Sequence, residues 1–211
     1  MDYVTEMLKL QDSFNERTIP NWKEQNLDWV NAIMLEAAEQ NDSLAWKWWK
    51  KGENDMDNFL VEVIDNWHFL MALALNNAET EPLASEIKEL WELENSDESL
   101  DLQNKTQLFT YFVLDAKFND PQSLKTAFLV FFDIVRDLDL DLEGLYKHYI
   151  TKNVLNQFRQ DNGYKTGEYK KIWGEEEDNV VAFRLVDETD TFASLYAKLD
   201  AHYKFTNDDA K

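Results

Sequence analysis

The sequence predicts an all-α fold, a multi-helix bundle with a smaller, mobile helical region. Only five glycines and three prolines occur in 211 residues, and these are the residues that interrupt helices most strongly. Apolar residues recur at spacings of three and four along almost the whole chain, which is the period of an amphipathic helix, and no segment shows a persuasive strand pattern. We therefore expect one all-α domain over residues 1–211, with a possible subregion boundary at a polar connector near residues 95–104.

Turn signals and prolines divide the chain into successive helices. The stretch Thr18-Ile19-Pro20-Asn21 ends the first helix, because proline has no backbone N–H to donate. The third helix contains the least polar run in the chain, Val61 to Leu75, and the turn Asn162-Gly163 ends the seventh. The predicted helices cover residues 5–14, 26–38 with a possible extension to 43, 56–78, 85–94, 106–118, 121–135, 142–158, 180–186 and 191–203.

Three segments between the predicted helices differ from them in composition. Trp46 to Lys51 holds three tryptophans and three lysines, and it is either part of the core, with lysine side chains reaching solvent, or an aromatic wall beside a base. Gly52 to Asp57 is a loop. Tyr164 to Asn179 is a lysine-rich loop of the kind that closes over a bound ligand.

The charge of the chain restricts its partners. The formal net charge is −21, which argues against a nucleic-acid polymer, since a phosphate backbone requires a basic surface. Lys147 to Lys171 is different, because it contains six basic residues and two acidic ones. A compact basic segment in an acidic protein suits a small polyanion.

Other features indicate a cytoplasmic protein without a membrane partner. No apolar run reaches the length of a bilayer span, and the N-terminus lacks the basic and then apolar order of a secretion signal. The chain has no cysteine, which excludes disulfides and thiolate metal sites and is compatible with a reducing compartment.

Two carboxylate pairs, Glu36-Ala37-Ala38-Glu39 and Glu62-Val63-Ile64-Asp65, are the strongest functional signal. Residues three apart lie on one face of a helix, so two such helices side by side would bring four oxygen donors together. Mg²⁺ binds proteins through carboxylates and substrate phosphates, which indicates phosphate chemistry. The alternative is a pair of solvated helix faces, because 42 of 211 residues are acidic.

His68 follows Asp65 by three residues and so shares the face of the second carboxylate pair. It is either a structural histidine or part of the same pocket. A di-iron carboxylate bundle is disfavoured, because it needs two acid-x-x-His motifs and only Asp65-Asn66-Trp67-His68 qualifies.

A second polar stripe occurs in the predicted seventh helix. Lys152, Asn156 and Arg159 are spaced i, i+4, i+7, whereas Val154, Leu155 and Phe158 point elsewhere. The stripe is either a phosphate-binding surface or a solvated helix face. The basic loop that follows it favours phosphate, since such a loop can add donors once substrate is bound.

Taken together, these motifs make the chain resemble the dimeric all-α dUTPases of the campylobacter, phage and trypanosomatid type, within the all-α NTP pyrophosphatase superfamily. The resemblance covers nearly the whole chain and is weakest from Glu79 to Pro121, where no function is carried over. Its motifs are Leu8-Lys9-Leu10-Gln11 with Asn15; Glu36 to Glu39, leading to Asp42-Ser43 and Trp46 to Lys50; Glu62 to Phe69; and Lys152 to Lys165, followed by Glu177-Asp178-Asn179.

The resemblance implies hydrolysis of dUTP, and of dUDP, to dUMP by attack of a metal-activated water on the α-phosphorus. It implies two or more Mg²⁺ ions held by Glu36, Glu39, Glu62 and Asp65, with Glu36 orienting the water and Glu39 as the alternative. It also implies a homodimer in which each pocket is completed by its neighbour. The implied uracil and deoxyribose contacts are Gln11, Asn15, Trp48, His68 and Phe69, and the implied phosphate contacts are Lys152, Asn156, Arg159, Tyr164, Lys171 and Asn179.

Two other functions compete with this one. A related pyrophosphatase with another base preference, such as one that accepts dCTP, would share the carboxylate pairs. A non-enzymatic acidic protein that mimics DNA would have a uniformly negative surface, which the basic segment at Lys147 to Lys171 argues against.

Overall fold

A computed structural model describes residues 1–93, 99–187 and 190–208 and confirms the all-α fold. The described residues form nine α-helices, one short 3-10 helix at Trp22–Glu24 and one two-stranded sheet. The helices are α1 (Tyr3–Thr18), α2 (Trp29–Asp42), α3 (Met56–Leu75), α4 (Thr80–Glu92), α5 (Leu102–Phe118), α6 (Ser123–Asp137), α7 (Leu142–Asp161), α8 (Asp178–Leu185) and α9 (Phe192–Asp208).

Aspartate caps set where several helices begin. At the start of α2, the side chain of Asp28 accepts a hydrogen bond from the backbone N–H of Asn31, three residues on. The same arrangement joins Asp55 to Asn58 at the start of α3. Such caps satisfy an N–H group that has no partner within the helix. Asp28 therefore fixes the start of α2 at Trp29, three residues after the predicted start.

The chain divides into two compact units, Met1–Tyr146 and Lys147–Lys211. The division falls within α7, so the first unit contains α1 to α6 and the second contains α8 and α9. Part of the boundary predicted near residues 95–104 lies outside the described residues, and that boundary stays a prediction.

Trp67 lies at the centre of the first unit. Its ring stacks on Phe131 with centroids 5.1 Å apart and meets Phe128 edge-on at 6.0 Å. Its indole N–H points at the sulfur of Met7, 3.3 Å away. These contacts join α1, α3 and α6. The apolar run of the third predicted helix therefore forms the core of this unit, which places the carboxylates of α3 on a rigid element.

The second unit has an aromatic core around Phe158. The rings of Trp173, Tyr196 and Tyr203 lie edge-on to it at 5.4–5.6 Å. Trp173 belongs to a hairpin in which β1 (Ile172–Trp173) pairs antiparallel with β2 (Glu176–Glu177). The sequence predicted a loop without strands here, and that detail was wrong, because two-residue strands are too short to show an alternating pattern.

No helix in the described ranges is long and apolar enough to cross a membrane.

Candidate active site

Glu36 on α2 and Glu62 and Asp65 on α3 form a carboxylate centre in the first unit. One oxygen of each side chain lies within 4.8 Å of those of the other two. The acids meet because α2 and α3 pack against each other and because residues three apart on α3 share a face. Glu62 is buried, and Glu36 and Asp65 are half-buried. Three hard oxygen donors at this spacing match the ligands of Mg²⁺.

Burial and mutual repulsion make the carboxylate centre electrostatically unfavourable without a cation. The pKa of Glu36 is raised to about 8, first by burial and then by the charge of Asp65. A hydrogen bond with Glu62 and the charges of Glu62 and Glu39 raise it further. A carboxylic acid keeps its proton in such surroundings unless a cation replaces it. The electrostatics therefore fit a divalent cation at this point.

Glu39 lies outside this group of three. Its side chain is exposed, although it is near enough to contribute to the raised pKa of Glu36. The two acids of α2 thus differ, since one faces α3 and the other faces solvent. A metal-ligand role for Glu39 stays a prediction.

His68 is buried on α3 and is held by its own helix. Its Nδ1 lies 2.8 Å from the carbonyl oxygen of Ile64. Because a carbonyl oxygen can only accept, the proton of the neutral ring belongs on Nδ1. This hydrogen bond fixes the orientation of the ring. It is compatible both with a structural role for His68 and with a role in the pocket.

Gln11 and Asn15 form a buried amide pair on α1. The Nε2 of Gln11 donates to the Oδ1 of Asn15 at 2.9 Å, and both side chains are at most 5% exposed. The Nδ2 of Asn15 has no hydrogen-bond partner among the residues that the structure describes. Buried donors are nearly always paired. Asn15 is therefore a candidate contact for a polar ligand.

The aromatic residues of the predicted pocket differ in their surroundings. Phe69 is half-buried, with its ring centroid 6.1 Å from that of Trp29. Trp48 is 89% exposed and lies edge-on to Trp49 at 5.4 Å. Trp46 and Trp49 are also exposed. This segment does not belong to the core, so the alternative that assigned it to the core was wrong.

In the second unit, the predicted phosphate contacts form a basic cluster of Lys152, Asn156, Arg159, Tyr164, Lys171 and Asn179. The Nζ of Lys152 donates to the Oδ1 of Asn179 at 2.9 Å, and Arg159 donates to Asn156 at 3.1 Å. Lys152 is 2% and Arg159 9% exposed. The solvated-face interpretation of this stripe was therefore wrong.

Tyr164 joins the basic cluster through its ring. The guanidinium carbon of Arg159 lies 5.8 Å from the ring centroid, and the Nζ of Lys171 lies 5.7 Å from it. Both distances are within the range of cation–π attraction. Hydrogen bonds and these ring contacts therefore connect the six predicted residues to one another.

Sequence reasoning missed the residue that holds Arg159. Asp178 accepts hydrogen bonds from the Nε and Nη2 of Arg159, both at 2.8 Å, and from the hydroxyl of Tyr169 at 2.7 Å. Burial raises the pKa of Asp178, but the bonds and charge of Arg159 outweigh burial and leave the pKa below its ordinary value. A buried arginine needs a carboxylate partner. The run of acidic residues just before Asn179 could have indicated that partner in the sequence.

Comparison with known proteins supplies the family. A family model described as dUTPase matches residues 3–164. This range contains both carboxylate pairs, the amide pair of α1 and the polar stripe of α7. No curated protein sequence matches the chain. Because the family model spans more than half of the 211 residues, the chain belongs to the all-α dUTPase family, whose members hydrolyse dUTP.

Proposed function

We propose that the protein is an Mg²⁺-dependent diphosphatase that converts dUTP to dUMP and pyrophosphate, and dUDP to dUMP and phosphate. The observation that carries the proposal is the convergence of Glu36, Glu62 and Asp65 to within 4.8 Å. Family membership supports the substrate dUTP. The metal, the mechanism and the second substrate go beyond that membership.

Glu36, Glu62 and Asp65 would hold the cation, with Glu39 as a further ligand. When bound, Mg²⁺ lowers the pKa of an attacking water and neutralises charge that develops on the phosphate oxygens. The donor set is all oxygen, which favours Mg²⁺ over softer metals. The family resemblance implies two or more ions per site, and substrate phosphates would add oxygen ligands to those of the protein.

In the proposed reaction, water attacks the α-phosphorus, and the bond between this phosphorus and the oxygen that bridges it to the β-phosphate breaks. Water supplies an oxygen to dUMP, and pyrophosphate leaves. Glu36 is the proposed carboxylate that orients this water and accepts its proton, and Glu39 is the alternative. A carboxylate in hydrogen-bonding reach of the water is what general base catalysis requires.

The amide pair of α1 is the proposed reader of uracil. An amide can donate to a uracil carbonyl and accept from N3–H, a combination that cytosine does not match. The Nδ2 of Asn15, which lacks a partner among the described residues, supports this role. His68, Phe69 and Trp48 are the other proposed contacts to the base and deoxyribose.

The basic cluster is the proposed source of phosphate donors. Arginine and lysine bind phosphate oxygens through charge-assisted hydrogen bonds. Arg159 is already oriented by Asp178, so little conformational entropy is lost when it binds an anion.

We further propose a homodimer, which the family resemblance implies, and a cytoplasmic location, which the composition favours.

Turnover across four nucleotides tests the proposal. Hydrolysis of dUTP, dUDP, dCTP and dTTP is measured with Mg²⁺ and with EDTA, in water enriched in oxygen-18. We expect turnover of dUTP and dUDP only with Mg²⁺, and the label in dUMP rather than in pyrophosphate. Equal turnover of dCTP and dUTP would show that the enzyme is a less selective pyrophosphatase. Label in pyrophosphate would overturn the proposal that water attacks the α-phosphorus.

A further inference from the structure

A chain of buried polar side chains lies beside the carboxylate centre and joins three helices. The Nδ2 of Asn66 on α3 donates to the Oε1 of Gln40 on α2 at 2.9 Å. The Nε2 of Gln40 donates to the hydroxyl of Thr106 on α5 at 2.7 Å. All three side chains are at most 1% exposed. We call this the Asn66–Gln40–Thr106 relay.

The direction of every bond in the relay is determined. The hydroxyl of Thr106 donates to the carbonyl oxygen of Leu102 at 2.8 Å, so its oxygen must accept from Gln40. Gln40 then presents its own oxygen to Asn66, which must donate. The amide of Gln40 suits the middle position, because it accepts on one side and donates on the other.

The relay lies on the same helix faces as the metal ligands. Gln40 follows Glu36 by four residues on α2, and Asn66 follows Glu62 by four residues on α3. Residues four apart are neighbours on a helix surface. The bond from Asn66 to Gln40 therefore links α2 to α3 one turn away from the acids that converge between them.

The carboxylates themselves oppose this convergence. Three ionised acids whose oxygens lie within 4.8 Å of one another repel one another. Neutral amides can hold the two helices together without adding charge to the centre. Replacing one residue of the relay leaves the amide of its neighbour buried without that hydrogen bond, which is energetically costly.

We propose that Gln40, Asn66 and Thr106 are positioning residues that hold Glu36 against Glu62 and Asp65 in the geometry that binds the cation. The inference rests on the proposed metal function. Partners beyond the ligands of a metal site commonly change its affinity by about 10–100-fold. Thr106 lies on α5, which carries none of the three acids, and so it provides the sharpest test.

The experiment measures Mn²⁺ affinity of the full chain, by electron paramagnetic resonance, together with its thermal stability. The variants are Gln40→Met, Thr106→Val, Thr106→Ser and the control Thr110→Val. Thr110 lies one turn further along α5, and its hydroxyl likewise bonds to the carbonyl four residues before it. We expect about 10-fold weaker Mn²⁺ binding in Gln40→Met, weaker binding in Thr106→Val, and affinity close to wild type in Thr106→Ser and Thr110→Val.

The possible outcomes separate the two proposals. Unchanged Mn²⁺ affinity in Gln40→Met and Thr106→Val, with saturable binding by wild type, would overturn the relay and leave the metal function intact. Equal weakening in Thr106→Val and Thr110→Val would also overturn it, as a general effect on α5. Wild type that binds no Mn²⁺ would overturn the metal function and the relay together. If Gln40→Met does not fold, Thr106→Val decides, since it preserves side-chain shape.

Discussion

Asp178 holds Arg159 side-on through two hydrogen bonds of 2.8 Å. The pair joins α7 to the start of α8 within the second unit and is almost completely buried. Removing one partner of such a pair leaves a buried charge uncompensated, which costs about 3–5 kcal/mol. We therefore expect Asp178→Asn to lower the free energy of unfolding by roughly 3 kcal/mol, measured by urea denaturation.

The control for this prediction is an ion pair in the same unit that solvent reaches. Arg184 on α8 and Glu176 on β2 form an ion pair, with side chains 50% and 42% exposed. Exposed pairs contribute about 0–1 kcal/mol, so Glu176→Gln should change stability little. Equal losses in Asp178→Asn and Glu176→Gln would contradict the structural role of the buried pair.

The contribution of Asp178 also has a predicted pH dependence. Its pKa in the folded protein is below the ordinary 3.8, so the stabilisation is present above that value and is lost as the pH falls through the folded pKa. The difference in stability between wild type and Asp178→Asn should be large at pH 7 and shrink below about pH 4. Urea denaturation of both proteins at pH 7 and below about pH 4 measures this difference. A difference that grows on acidification would be inconsistent with the lowered pKa.

Glu36→Gln should stabilise the metal-free protein while abolishing dUTP hydrolysis. The pKa of Glu36 is about 8 in the folded state against an ordinary 4.5. The folded state therefore binds more protons between these values, and its stability falls as the pH rises across this window. In EDTA, the melting temperature of Glu36→Gln should exceed that of wild type at pH 8, by ~2–4 °C for each kcal/mol of repulsion that is removed, and by less at pH 5. A lower melting temperature at pH 8 would argue against repulsion in the carboxylate centre.

Asn15→Ala should impair recognition of uracil more than it impairs stability. Loss of one buried hydrogen bond to the base corresponds to about a 10–100-fold lower kcat/KM for dUTP. Activity with dCTP should fall less, because cytosine does not match the same amide pattern. Asn119→Ala, at an exposed asparagine at the end of α5, serves as the control. Equal losses with both nucleotides would assign base selection to other residues.

Helix composition explains which parts of the fold could be predicted. The apolar run from Val61 to Leu75 predicted a buried helix starting at residue 56, and α3 is Met56–Leu75. The start of α2 was less accurate, since it depends on the Asp28 cap rather than on apolar periodicity. The hairpin at Ile172–Trp173 gave no periodic signal because each strand has two residues.

The candidate site was predictable where its residues are close in sequence. Glu62 and Asp65 share a helix face by spacing alone, and the structure brings both together with Glu36. Spacing could not show that Glu39 is exposed, because that depends on which way α2 is turned toward α3. The bond from Gln40 to Thr106 spans 66 residues, and periodicity carries no information at that separation.

The most direct test of the metal centre is the position of a bound ion. Crystals of the wild type are grown with Mn²⁺ and a non-hydrolysable dUTP analogue, and data are collected at the manganese absorption edge. We predict an anomalous peak from an ion that Glu36, Glu62 and Asp65 coordinate. This peak should be lost in crystals of Glu62→Gln. A peak held elsewhere by the protein, with these three carboxylates facing away from it, would contradict the account.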